Sequence, residues 1–142
     1  MIYGYIHTYK RNNLLKKYKK SLKEKGAKKI YIDLSGKKES KRKSLNKLLN
    51  IINEGDTVLV RRTESLSTEY SEQFKIIDKI MKKKVFYEET EGYINTKINP
   101  LSVKQYKIYL LSQISELHNE QTEKLSTMIH NELNRKLKKE TC

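Results

Sequence analysis

The sequence predicts an α/β fold: a three-layer domain whose largely parallel sheet of four to five strands is flanked by helices, followed by a long C-terminal oligomerisation helix. Three observations carry that expectation. Over residues 1–100, short β-branched and aromatic runs alternate with stretches whose apolar residues recur at helical spacing. One helix signal separates each strand signal from the next, which is the pattern of parallel strands joined by crossovers. From Ser102 to Lys139 there is neither Gly nor Pro, and the apolar residues keep a helical period. The boundary falls at Pro100, giving an α/β domain over residues 1–100 and a C-terminal helix over 101–142.

The elements follow in order. Ile2–Ile6 reads as a strand running into a polar loop. A helix over Asn13–Lys25 places Leu14, Leu15, Tyr18 and Leu22 on one face, and Gly26 closes its C-terminal end. Lys29–Leu34 is the second strand, followed by the polar loop SGKKESKRK. In a helix over Ser44–Asn53, Leu45, Leu48, Leu49 and Ile52 form one stripe. The turn Glu54-Gly55-Asp56 leads into strand Thr57–Arg61. A third helix from about Thr68 to Lys84 turns Phe74, Ile77 and Ile80 inward, and Val85–Tyr87 is a short fourth strand. Beyond Pro100, Val103, Tyr106, Leu110, Ile114, Leu117, Leu125, Met128, Leu133 and Leu137 share helical spacing. A single helix over 102–139 would be about 57 Å long, more than the preceding domain can cover. Leu110, Ile114, Leu117, Leu125 and Met128 are therefore expected to pack against a second copy, as a homodimer or higher symmetric oligomer. Gln121 interrupts the stripe and argues against a strict coiled coil.

Composition narrows the partners. The net charge is +14, from 31 Lys and Arg against 17 Asp and Glu. Lysine clusters gain free energy beside phosphates through counterion release, so nucleic acid is the expected partner. Only five of the cations are Arg, which favours general backbone attraction over dense bidentate recognition. The bland alternative is a solubilising surface in a chain rich in Lys, Asn, Ile and Tyr. The single cysteine, Cys142, excludes a disulfide framework and fits a reducing, cytoplasmic setting. No apolar run approaches the length of a membrane span, and the N-terminus has no signal-peptide core. His7, His118 and His130 are too scattered to suggest a metal cluster, and neither metal nor cofactor is expected.

Several segments, in order, resemble the catalytic domain of the small serine recombinases (the resolvase/invertase family). The segment IYGYIHTYKRNN at 2–13 falls where that family reads Gly-Tyr-x-Arg-x-Ser, with Gly4 and Tyr5 matching. KEKGAKKIYIDLSGKKESKRKSL resembles the stretch from the first helix through the mobile loop, with Ser35-Gly36 in place and Arg42 at an active-site arginine position. EGDTVLV at 54–60 matches the third strand, TEG at 90–92 another landmark, and LLSQISELHNEQTEKLSTMI the long dimerisation helix.

The resemblance implies strand cleavage by a serine hydroxyl, with arginines neutralising charge on the phosphate. Departures fall at those positions. Tyr9 stands for the serine and His7 for an arginine. Within RRTESLSTE, Glu64 replaces an aspartate, Ser65 and Thr68 replace arginines, and Leu66 is kept. Arg42 alone survives of the matched arginines, with Arg61 and Arg62 as neighbours that offer a rescue for one loss. Removing one such electrostatic contact typically costs about 2.7–4 kcal/mol of transition-state stabilisation, so losing several together is expected to abolish cleavage.

The expected function is a serine-recombinase-like protein without strand cleavage, a DNA-associated structural or regulatory partner in recombination or in plasmid or phage maintenance, pairing with itself or with an active recombinase. Arg42, Arg135, Lys136, Lys138 and Lys139 are the candidate DNA contacts; the last four, in NRKLKK, equally suit a solvated helix end. One alternative is an active recombinase with an unusual nucleophile, Tyr9, with His7 as base. A phenol reaches farther than a serine hydroxyl, and Tyr9 is also one of ten tyrosines that can simply fill space. The Ser65/Ser67 pair is a weaker nucleophile candidate. A second alternative is a protein-interaction module that binds no DNA.

Overall fold

Strand β1 (Ile2–Tyr9) lies inside the sheet, between β2 (Lys29–Ser35) and β3 (Thr57–Val60), and β4 (Phe86–Glu89) lies beyond β3. All three pairings are parallel. Helices α1 (Leu15–Glu24), α2 (Lys43–Ile51) and α3 (Tyr70–Lys82) fill the crossovers, with a 3-10 turn at Thr63–Ser65 before α3. Helix α4 (Ser102–Leu117) follows. The structure is a computed structural model that describes residues 1–9, 13–35, 41–117 and 130–134. The chain divides into two compact units, Met1–Ser102 and Val103–Cys142.

Within the first unit, α1 covers one face of the sheet. Ile6, Tyr18, Leu22, Ala27 and Leu59 form a buried cluster, flanked by Ile2, Leu15, Ile30 and Ile32. Gly4 makes the close approach possible: a Cβ there would stand 3.0 Å from Leu22 Cδ1 and 3.3 Å from Ile30 Cγ1. The helix ends at Gly26, whose φ of 103° closes a pair of bonds, Gly26 N–H to Lys23 O and Ala27 N–H to Leu22 O. Its start is poorly supported, with no side-chain cap and no acidic residue in the first turn. Burial of Tyr18 and Leu22 must therefore hold α1 in place.

Side chains alternate along each strand, so the face opposite Ile6 and Ile32 carries Tyr5, Tyr31 and Asp33, and α2 packs on that side. Lys83, just past α3, donates to Leu49 O of α2, which sets α3 beside α2. The segment after β4 turns back along it: Glu89 N–H bonds Ile94 O and Thr96 N–H bonds Tyr87 O, which covers that edge of the sheet.

Helix α3 ends in the same bond pattern as α1, but Lys84 occupies the left-handed position, with φ 58°. A side chain is strained there. Lys84→Gly is therefore expected to raise stability by about 0.5–1 kcal/mol, read as a higher urea midpoint at unchanged m-value. No change, or a loss, would mean that the Lys84–Glu54 ion pair at 3.7 Å outweighs the backbone strain.

Several expectations need correcting. Strand β1 runs on to Tyr9 because β2 pairs with it through Tyr9–Ser35, so His7 and Tyr9 belong to the strand and not to a loop. The four strands of the sheet among the described residues agree with the four to five expected. Leu14 precedes α1 and is exposed. Phe74 is half-buried, while Gln73, Ile76, Ile77 and Ile80 face inward on α3. The fourth strand is shifted to include Glu89. The single helix expected over 102–139 is described as α4 over Ser102–Leu117 and as helix at 130–134. Leu125, Met128, Arg135, Lys136, Lys138 and Lys139 lie outside the described residues. Ile114 and Leu117 fall within α4, and Leu110 there is half-buried.

Candidate functional site

In an open parallel sheet, ligands bind beyond the C-terminal strand ends, where the order of connections reverses. Here the reversal lies between β1 and β3, because one crossover leads from β1 to β2 and the next passes over β1 to β3. The strand ends at this point carry His7, Tyr9, Asp33, Ser35, Arg61 and Glu89, with Arg42 and the turn Thr63–Ser65 just beyond.

Three hydrogen bonds converge on Asp33. Its carboxylate accepts the Tyr5 hydroxyl at 2.8 Å and the backbone N–H groups of Ser44 at 2.9 Å and Leu45 at 3.0 Å. Those two N–H groups are orphan donors of the first turn of α2, so a carboxylate from the neighbouring strand caps the helix. Ser44 Oγ donates to Ile32 O at 2.8 Å and adds a second tie between helix and strand. Burial alone would raise the Asp33 carboxyl, but the bonds from Ser44, Tyr5 and Leu45 outweigh it and hold the group below its ordinary value. The Tyr5 phenol moves the other way: burial and the bond to Asp33 raise it, opposed by the nearby Arg42 guanidinium. Tyr5 is thus held as a neutral donor.

Arg42 sits at the N-cap of α2 in the left-handed region, φ 49°, and is only 8% exposed. Its Nη1 donates to the Ser65 carbonyl at 2.6 Å, joining the start of α2 to the 3-10 turn. Arg61 is turned to the opposite side of the sheet. Its guanidinium stacks 3.7 Å from the centre of the Tyr18 ring and pairs with Glu91 at 2.6 Å. Tyr9 is 63% exposed, with its ring centre 6.3 Å from that of His7. Among the described residues, no arginine bonds the Tyr9 hydroxyl.

Carboxylates dominate the β4 side. Glu89 is buried and accepts the Thr63 hydroxyl at 2.7 Å; burial is the main reason its carboxyl is raised, partly offset by that bond. Glu64 is exposed on the adjacent turn and Thr68 is exposed beyond it. Ser67 is buried, its Oγ accepting Glu69 N–H and its carbonyl accepting Gln73 Nε2, so its hydroxyl is occupied at the start of α3. Among the described residues no group of three His, Cys, Asp or Glu converges to hold a metal ion.

Of the residues expected at the site, the structure thus joins Arg42 to Ser65, sets His7 beside Tyr9, and leaves Glu64 and Thr68 at the surface. Sequence reasoning missed Asp33 and Glu89. The available signal was a carboxylate inside an apolar strand, which is rarely buried without a partner.

Residues 6–140 match the family model described as Resolvase, N terminal domain. No curated protein matches by sequence. The structure is similar to the crystal structure of the C-terminal catalytic domain of ISC1926 TnpA, an IS607-like serine recombinase. The TM-score is 0.53 at 14% identity, over 94% of this chain and 98% of the other.

Proposed function

Because the chain belongs to the resolvase N-terminal domain family and has the fold of a serine recombinase catalytic domain, we propose that it is a DNA-associated protein that has kept this scaffold without its strand-cutting chemistry. The observation that carries this reading is the disposition of charge at the strand ends. Cleavage needs a nucleophile ringed by cations that meet the charge developing on a phosphate. Here Arg61 is paired with Glu91 on the Tyr18 side of the sheet, and Arg42 is buried against Ser65 O. Asp33, paired in register with His7, places a carboxylate rather than a cation beside this end of β1, where Tyr9 is exposed.

In this reading the protein binds duplex backbones through its lysines and assembles through α4, where Ile108 and Tyr109 are exposed. Leu110, Ile114, Leu117, Leu125 and Met128 form the contact with a second copy or with an active recombinase. Arg135, Lys136, Lys138 and Lys139 extend the phosphate contacts, and Arg42 ties the start of α2 to the 3-10 turn rather than meeting DNA. Duplex binding measured from about 50 to 200 mM salt tests the first part: a steep linear fall of log K with log salt is expected. A flat response, or no binding at low salt, would favour a protein-interaction module instead.

A further inference from the structure

Between Asn13 and Lys29 there are eight lysines and a single carboxylate, Glu24. Helix α1 buries Tyr18 and Leu22 in the sheet, which turns Lys16, Lys20 and Lys23 outward with the half-buried Lys19 beside them. These four line one shallow surface depression with Glu24. Their spacing of three and four residues sets like charges next to one another, an arrangement that destabilises a helix. Lys16 and Lys17 also lie in the first turn, where the helix dipole disfavours cations. Among the described residues none of these five forms an ion pair. Helix α3 differs, because Lys75 pairs with Glu72 and Lys82 with Asp78. A solubilising surface would be expected to look like α3.

We propose that the outer face of α1 is a second docking surface for a nucleic-acid duplex, separate from the strand-end site and read through backbone phosphates alone. Two alternatives fit less well. Membrane-surface helices insert an apolar face, and the apolar face of α1 is already spent on the sheet. Single strands are held by stacking on exposed aromatic side chains, and the aromatic residue of α1, Tyr18, is buried. Lysine without arginine gives point charges that follow phosphates without base readout.

The inference rests on the DNA-binding reading above, and the test separates the two. The full chain with Lys16, Lys19, Lys20 and Lys23 all changed to Gln, which keeps helix propensity, is compared with a variant changing Lys47, Lys75, Lys79 and Lys82 to Gln. Circular dichroism and thermal unfolding check that both fold. A random-sequence duplex is titrated across salt. The α1 variant is expected to lose about three to four units of the log K against log salt slope and roughly 100-fold in affinity at low salt, while the other variant loses less than about one unit. Equal losses in both variants would reduce the stripe to part of a diffuse field and overturn the proposal, as would an unchanged slope. In either case the parent still binds DNA and the DNA-binding reading stands. If the parent binds no duplex, both readings fall. Binding to anionic vesicles of phosphatidylserine without binding to duplex would assign α1 to a membrane instead.

Discussion

Changing Asp33 to Ala is expected to destabilise the α/β unit by about 3 kcal/mol near neutral pH, the sum of a lost helix cap and a buried donor left unpaired. The carboxylate meets Tyr5 Oη, Ser44 N and Leu45 N, so its removal orphans a buried phenol and two N–H groups at the start of α2 together. The same substitution should show a pH signature. Asp33 is held below its ordinary value of 3.8, so the native state binds this proton less readily than the unfolded chain. Its contribution is therefore complete above that ordinary value and is lost as pH falls through the lower native value. Urea midpoints of parent and variant should differ widely at pH 7 and converge in acid. A variant as stable as the parent at pH 7, or a gap that ignores pH, would remove Asp33 from its assigned role.

Leu22→Ala is expected to cost a further distinct amount, about 3 kcal/mol, at a site remote from that network. Leu22 is fully buried between α1 and the sheet, over Gly4, and α1 has little else to hold it. Its first turn carries Lys16 and Lys17 and no carboxylate. Ile51→Ala makes the contrast: at 40% exposure it should change stability by no more than about 0.5 kcal/mol. Equal effects of the two in chemical denaturation would mean that α1 is not held by packing. The Leu22 variant should also lose duplex affinity if the α1 lysines dock DNA, since the stripe needs a fixed helix to display it.

The sequence spells out the parallel sheet well because each crossover is local: a strand, a helix with one apolar stripe, another strand. Tyr18, Leu22, Leu45, Leu48, Ile77 and Ile80 were all legible as core from spacing alone, and all are buried. What was not legible depends on partners far along the chain. The polar His7 and Thr8 suggest that β1 has ended, yet pairing with Asp33 and Leu34 of β2 keeps them in the strand. The cap of α2 sits 11 residues before Ser44 on another element, beyond the reach of a rule that inspects only the residue preceding a helix. Gln73 is polar yet buried on α3, where its Nε2 donates to the Ser67 carbonyl, a partner that helical spacing does not reveal. Arg61 looks available to replace a lost arginine until Tyr18 and Glu91, from two other segments, are seen to hold it. The substitutions at Tyr9 and His7 were visible in sequence; the pairing of Asp33 beside His7, and the burial of Glu89 against Thr63, emerged only in three dimensions.

The decisive measurement is denaturing electrophoresis of end-labelled duplexes that the protein itself has selected from a randomised pool, tested also in supercoiled plasmids. The expected outcome is binding without cutting: no labelled strand migrates with the protein, the plasmids stay supercoiled, and Tyr9→Phe behaves as the parent does. A protein-linked strand that forms with the parent and vanishes in Tyr9→Phe would show that the scaffold still cuts DNA, by a phenol in place of a serine.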